Sequence, residues 1–356
     1  MIKDLEDVDG NIDVATDICI IGGGVAGQTL AESLLPHFKV TILESGDLDF
    51  RQDVQSMASG HNIGEEYYPL EGARLRQFGG TAAIWGGRCA ELDPIDFEKR
   101  DFIPHSGWPI NKSDLDTYYT RAFQMLGLER PGEGRLWSKL GRTPPEFDSD
   151  KIDTDLWVFD EFGERFTNPN RGKLGAAEIF LNATLSALDI NDQGNIKRAT
   201  ARSLNGKSVK VSAKVFVLAA GAIETVRLLL TTIAERPNGL GNDHDRLGRF
   251  FMEHPHARGG EIIPSNLAHS ITVLPRALRY NGKRYAAYLR PSPKLQREKG
   301  ILNTSLSFSA RRAEGEKMEI YRSTTNKLKH DLPSSCLLYT SPSPRDATLS
   351  RMPSSA

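Results

Sequence analysis

The chain is poor in cysteine: among its 356 residues only Cys19, Cys89 and Cys336 occur. Three are too few for the disulfide framework that staples small secreted folds. No apolar run approaches the roughly 20 residues of a membrane-spanning helix. The opening MIKDLEDVDGNIDV lacks the basic-then-apolar order of a secretory leader. A cytoplasmic location without a membrane segment is therefore expected. Neither sign of charge dominates: 45 Lys and Arg stand against 46 Asp and Glu, which leaves no basic excess for nucleic acid. There is no internal repeat. His254-Pro255-His256 is the nearest approach to a metal motif. It lacks a second cysteine or histidine cluster, and Pro255 stiffens a turn, so a structural role is assigned to it. A chain of this length buries a large core and makes two domains or one large one.

What is present begins at Asp17 with DICIIGGGVAGQTLAESLLPHFKVTILESG. Ile18 to Ile21 is a short apolar run suited to a parallel strand buried on both faces. Gly22, Gly24 and Gly27 follow at G-x-G-x-x-G spacing. Ala26, Leu30, Ala31, Leu34 and Leu35 recur at helical spacing, and KVTILE is a second strand. The glycines serve a tight turn, close backbone approach to a pyrophosphate, and close packing of helix on strand. The helix N-terminus directs free N–H groups and about half a positive charge at that pyrophosphate. Glu44, at the end of the second strand, is placed to hold a ribose hydroxyl. Strand, glycines, helix, strand and acid in this order predict a dinucleotide site.

Two further stretches bear on which dinucleotide. RLRQFGGTAAIWGGRCAELDPIDFEKRDF brackets TAAIW between Gly79-Gly80 and Gly86-Gly87. Such a loop lies flat on a ligand because few side chains hold it off. Thr81 offers a hydroxyl and neighbouring N–H groups, and Trp85 offers a ring to stack on or wall a ligand. Later, two alternating segments around LNGK predict a hairpin, and KVFVLAAGAIET reads as a buried strand running into small residues and a helix. A second glycine-ended strand returning to the first sheet suits a large two-part cofactor. A nicotinamide enzyme more often continues in regular strand–helix units. NGLGNDHDRLGRFFMEHPHARG then carries Gly239, Gly241 and Gly248.

These blocks, in this order, resemble the glucose–methanol–choline family of FAD-dependent oxidoreductases over about Asp17 to Pro255. The motifs are IGGGVAG…LESG, RQFGGTAAIWGG, HSGWPINKSDLDTYY and LAAGAIETVRLLL…GLGN…LGRFFMEHP. The resemblance implies a Rossmann-like α/β domain for FAD/NAD(P) and an α+β substrate domain with an antiparallel sheet, incomplete in this chain. It implies that Gly22, Gly24, Gly27 and Glu44 hold the pyrophosphate and ribose. It places Arg76, Gly79, Gly80, Thr81, Trp85 and Gly86 over the pyrophosphate and flavin, with Ala219, Ala220 and Gly221 closing over the cofactor. Some members attach FAD through a histidine where this chain has Ile84, so FAD is expected to be non-covalent. Many members have Asn near the flavin ring where this chain has Trp85.

The resemblance further implies hydride transfer from an alcohol or sugar CH–OH to flavin. The hydroxyl proton needs a base within hydrogen-bond reach, which in the family is a histidine near the chain end, beside an H-x-x-G-T-x-x-M-G-like segment. No such segment occurs, and none of His37, His61, His105, His244, His254, His256, His269 and His330 has that context. The tail offers a reason. CLLYTSPSPRD, Cys336 to Asp346, is what a transposase-type sequencing adapter gives on translation, and SRMPSSA matches the adapter's continuation past a sample index. Residues 336–356 are therefore expected not to be protein, with the biological sequence ending near Ser335 and the base beyond it. The expected division is a discontinuous FAD domain at 1–110 and 175–250, with substrate-domain portions at 111–174 and 251–335. From Gly259 onward, GGEIIP, SITVLPRAL and KRYAAYLR are expected as strands, and RRAEGEKMEIYRSTTNKLKHD as helical in part. The helix over WPINKSDLDTYYTRAFQMLGL is expected to be capped by Ser113 or Asp114, with Leu115, Tyr118, Tyr119, Ala122 and Leu126 on one face. Three alternatives remain: a hydroxynitrile lyase-like member of the same family, a flavin-binding protein without catalysis, and, disfavoured by the second glycine loop, an NAD-dependent dehydrogenase. No motif names the substrate or the electron acceptor.

Overall fold

Apolar runs from two stretches of the chain, residues 2–43 and 178–218, pair side by side into a seven-stranded sheet of order β1-β6-β3-β2-β9-β8-β7. Its strands are β1 (Ile2–Asp4), β2 (Ile12–Ile21), β3 (Val40–Leu43), β6 (Glu178–Leu181), β7 (Thr184–Ile190), β8 (Ile196–Arg202) and β9 (Ser208–Leu218). The structure, a computed structural model, describes residues 1–64, 67–131, 135–160, 164–170, 172–231, 236–254, 256 and 277–308. The β1–β6, β6–β3, β3–β2 and β2–β9 pairs are parallel, and β8 and β7 add an antiparallel edge. β2 alternates between two cores. Ile18 and Ile20 pack with Ala31, Val40, Ile42 and Phe78 on one face. Cys19 and Ile21 pack with Leu5, Leu43, Phe180 and Val211 on the other. Burial on both faces is why this stretch is apolar at every position.

β2 starts at Ile12, earlier than the apolar run alone indicated, because the eleven-residue β9 gives it a partner from Val209 onward. The hairpin around LNGK is the β8–β9 connection. The far end of β9 is not the buried strand expected: Val215 is 51 % exposed. In α1 (Val25–Leu34) the buried positions are Gly27, Gln28 and Ala31, while Ala26 is exposed on the side that faces the cavity described below.

A second sheet, order β10-β11-β5-β4, is antiparallel throughout. It comprises β4 (Arg88–Cys89), β5 (Ile152–Phe159), β10 (Leu278–Tyr280) and β11 (Lys283–Pro291), the last being the expected strand KRYAAYLR. β4 joins this sheet although it belongs to the segment 1–110 assigned to the other domain. Trp157 stacks on Tyr288 with ring centroids 4.3 Å apart, a diagonal cross-strand pair. Phe123, Trp137, Val158, Tyr285 and Ala287 form its core. The expected strand GGEIIP, all but the last two residues of SITVLPRAL, and the partly helical stretch at 311–331 lie outside the described residues.

The helix expected to precede this sheet is α2 (Lys112–Met125), but its cap is Asn111 rather than Ser113 or Asp114. Asn111 Oδ1 accepts from Ser113 N at 3.0 Å, and Asp114 Oδ2 accepts from Asn111 N at 2.9 Å, so Asp114 closes the capping box instead of starting the helix. The buried stripe is also rotated. Phe123 is buried in the second core, whereas Tyr118 is 62 % exposed and Ala122 is exposed. The neighbours available to the helix, not its apolar content, select which stripe turns inward.

Candidate cofactor site

β2, β3 and β9 end together, and their exits form the walls of one cavity of about 540 Å³. After Ile21 the chain turns through Gly22, Gly23 and Gly24 into α1. Gly24 caps α1 with no side-chain hydrogen bond, so its first N–H groups are left for a ligand. Gly27 permits this geometry: a Cβ there would overlap the Gly22 carbonyl oxygen and stand 3.2 Å from its carbon.

The second glycine loop lies against the first. Gly79 N donates to Gly23 O at 2.9 Å, and Gly24 and Gly79 form a parallel β-bridge. Gly79 has φ +92, and a Cβ there would meet Phe166 O at 2.7 Å. Only glycine satisfies both constraints. Buried Gln28 ties the layers together, its Nε2 donating to Gly23 O and to Phe166 O, each at 2.7 Å. Thr81 Oγ1 accepts from Leu75 N at 3.3 Å. The third wall is Ala219-Ala220-Gly221, leading from β9 into α3 (Ala222–Thr231) and anchored by Ala219 N donating to Ile21 O at 2.7 Å.

Charge is arranged on two levels. Glu44 is buried, with Oε2 accepting from Gly23 N at 2.6 Å and Oε1 from Gly46 N at 2.7 Å. Burial pushes its carboxyl above the ordinary range, against the pull of those N–H groups and of Arg76. Beside it, Arg76 Nη2 donates to Glu224 Oε1 at 2.7 Å and Arg76 Nη1 to Ser45 Oγ at 2.7 Å. Glu224 Oε2 also accepts from Arg74 Nη2 at 3.3 Å, and Arg227 lies one turn on, its Nε 3.0 Å from Oε1. Burial raises the Glu224 pKa, but Arg227 and Arg76 outweigh it and hold the carboxyl below the usual range.

Of the residues expected from sequence, Gly22, Gly24, Glu44, Arg76, Gly79, Gly80, Thr81, Ala220 and Gly221 line this cavity. Gly27 underlies it, and Trp85 and Gly86 stand outside the lining, Trp85 half-buried and Gly86 exposed. Arg74, Ser45, Thr184 and Glu224 line it without having been singled out. The available signals were Arg74 spaced two residues from Arg76 ahead of the glycine pair, and Glu224 one helical turn from Arg227. Among the described residues no histidine lines the cavity, and His254 and His256 are exposed. No group of three or more potential metal ligands occurs among the described residues.

A glycine cradle at a free helix N-terminus, a buried acid on the neighbouring strand and arginines in the wall suit the diphosphate and ribose of a dinucleotide. Fold and cavity together define a dinucleotide-binding α/β protein in which two glycine loops line one cavity. Residues 17–238 match the FAD dependent oxidoreductase (DAO) family, and the chain belongs to that family, whose cofactor is FAD. It is 39 % identical over 84 residues to the fructose dehydrogenase large subunit of Gluconobacter japonicus, covering 23 % of this chain and 15 % of that one. It is 24 % identical over 301 residues to the 6'''-hydroxyparomomycin C oxidase of Streptomyces lividus, covering 67 % of this chain and 54 % of that one. To the 2-methyl-1,2-propanediol dehydrogenase of Mycolicibacterium austroafricanum it is 22 % identical over 305 residues, covering 67 % and 55 %. The chain thus spans about half the length, or less, of the curated relatives it matches. Among solved structures, formate oxidase of Aspergillus oryzae RIB40 aligns at TM-score 0.38 and 14 % identity over 63 % of this chain and 48 % of that one. Pyridoxine 4-oxidase from Mesorbium loti aligns at TM-score 0.37 and 17 % identity over 59 % and 50 %. Among the described residues no helix is long and apolar enough to cross a membrane.

Proposed function

We propose that this chain is the FAD-binding portion of a glucose–methanol–choline-type oxidoreductase that oxidises an alcohol or sugar CH–OH group in the cytoplasm. The observation that carries the reading is the Gly24–Gly79 bridge, which sets a second glycine loop beside the first at the end of one parallel sheet. A cavity walled on both sides suits an FAD better than a nicotinamide dinucleotide. FAD supplies the hydride acceptor. The chain's own residues bind and orient: the α1 N-terminus and the paired loops take the diphosphate, and the wall around Glu44 and Ser45 takes the adenosine side. Ile84, at the position where some relatives of this type carry a histidine, offers no nucleophile, so the cofactor is held without a covalent bond.

A hydroxyl proton must leave with the hydride, and a base must stand within hydrogen-bond reach of it. With no histidine on the cavity wall among the described residues, the proposed base lies outside them and the chain as it stands turns over little or no alcohol. The test is anaerobic mixing of the complete FAD-loaded protein with a panel of alcohols and sugars. Loss of visible flavin absorbance is expected with at least one of them. Flavin that stays oxidised throughout would favour the lyase-like or non-catalytic alternative. Substantial alcohol oxidation by this chain alone would refute the placement of the base.

A further inference from the structure

The two arginines in the cavity wall are held in different ways. Arg76 is held tightly through its terminal nitrogens: its guanidinium meets Glu224 and Ser45, both at 2.7 Å, and its backbone N donates to Gln55 Oε1 at 2.9 Å, although its Nε, like that of Arg74, is buried without a partner. Arg74 lines the same cavity but is held loosely, with Nη1 to Leu70 O at 3.2 Å and Nη2 to Glu224 Oε2 at 3.3 Å. Both bonds lie at the long limit for an N–H donor. The Arg74 Nε is buried with no partner at all. Three guanidiniums, those of Arg74, Arg76 and Arg227, converge on the one carboxylate of Glu224. Two other acids line the wall: Glu44 has both oxygens committed to backbone N–H groups, and Glu253 Oε2 accepts from the Tyr67 hydroxyl at 2.6 Å. Arg74 is therefore the cation of the wall whose partners are weakest, with both terminal nitrogens on long bonds and Nε on none.

We infer that Arg74 is the cationic contact for the diphosphate of the bound dinucleotide, and that Glu224 is the positioning residue that keeps Arg74 and Arg76 in the cavity wall. A buried cation with weak partners stays in place at a cost. A dianionic diphosphate in the same cavity removes that cost, because charge-assisted hydrogen bonds to phosphate are the strong ones. Burial depresses the Arg74 pKa, with Glu224 pulling the other way, as expected of a guanidinium short of counter-charge. Arg76 locks the wall to the β3 exit through Ser45, which in turn meets Thr184 Oγ1 at 2.9 Å. This inference rests on the cavity being the FAD site.

The experiment titrates the full chain, freed of flavin, with FAD, ADP and adenosine by calorimetry. Arg74→Gln is expected to weaken ADP and FAD about tenfold, the worth of one charge-assisted hydrogen bond, while adenosine binding stays unchanged. The salt dependence of ADP binding should fall with it, a change that mere loss of packing does not produce. Glu224→Asp keeps the charge but shortens the reach, and is expected to weaken ADP in the same direction, with melting temperature measured alongside. Equal loss for ADP and adenosine, or unchanged ADP affinity in Arg74→Gln, would overturn the inference while leaving the cavity as the FAD site. Failure of the wild-type chain to bind FAD or ADP would overturn the cavity reading and the inference with it.

Discussion

Replacing Gly27 by alanine tests the close packing of α1 on β2 beneath the cavity. The added Cβ would overlap the Gly22 carbonyl oxygen, lie 3.2 Å from the carbonyl carbon and come within 3.3 Å of Ile20 Cγ2. None of these is the free end of a flexible side chain. Gly22 is itself fixed, its N–H donating to Leu43 O at 2.8 Å. The clash can be relieved only by lifting α1 off β2 or by moving the strand exit. Overpacking of a closed core costs about 1–3 kcal/mol, and a backbone-to-backbone overlap lies at the upper end or above. Alanine regains a few tenths to about 1 kcal/mol through helix propensity, which is too little to offset it. The expected loss is about 3 kcal/mol in urea unfolding, with FAD affinity falling because the α1 N-terminus moves from the ligand. Gly72→Ala is the control: no atom lies within 4 Å of its Cβ, so it should be neutral or slightly stabilising. A Gly27→Ala variant as stable as Gly72→Ala, with undiminished FAD affinity, would refute the close-packing account.

Other perturbations separate the charges and caps. Glu44 has a raised carboxyl pKa, so its contribution is present below its unfolded value near 4.5 and is lost as pH rises through the folded value. Glu224 is lowered, so its contribution is present above 4.5 and is lost as pH falls through the folded value. Unfolding free energies at about pH 4 and about pH 7 should therefore show Glu224→Gln costing more at the higher pH and Glu44→Gln costing less there. A shared pH trend would contradict the assignment. Asn111→Ala removes the α2 cap and should cost about 1 kcal/mol, while Ser113→Ala should be nearly silent. Equal losses would restore Ser113 as the cap.

The first βαβ unit was legible because each requirement has a local signature: an apolar run buried on both faces, glycines at the close approach, an acid at the next strand end. The Arg74–Glu224–Arg76 network was not, since its partners lie 150 and 148 residues apart and only Arg76 had been assigned to the cofactor. β5 escaped notice for a related reason. Asp153 and Asp155 give its start a polar appearance, and only the fold brings Arg290 to them at 3.2 and 2.6 Å. Trp85 shows the converse. An aromatic between glycine pairs has a ligand role and a packing role open to it, and Trp85 stands half-buried outside the residues that line the cavity. In α2 the apolar periodicity was plain, but the choice of Phe123 over Tyr118 depended on a core assembled from Trp137, Leu156 and Tyr285, far along the chain.

The chain leaves the first sheet at Gly46 and comes back to nearly the same point. A Cβ on Gly46 would lie 2.5 Å from the Arg76 carbonyl, and Phe78 N donates to Asp47 O at 2.9 Å. The stretch from Asp47 to Leu75 is thus an excursion with its two ends stitched together, and Ile63 near its tip is 97 % exposed. Cutting the chain there severs a covalent path while leaving both banks of the cavity held by their own bonds. A protease, or an insertion placed by a protein engineer, meets at this tip a seam eleven residues ahead of Arg74, the arginine that the same excursion carries into the cavity wall.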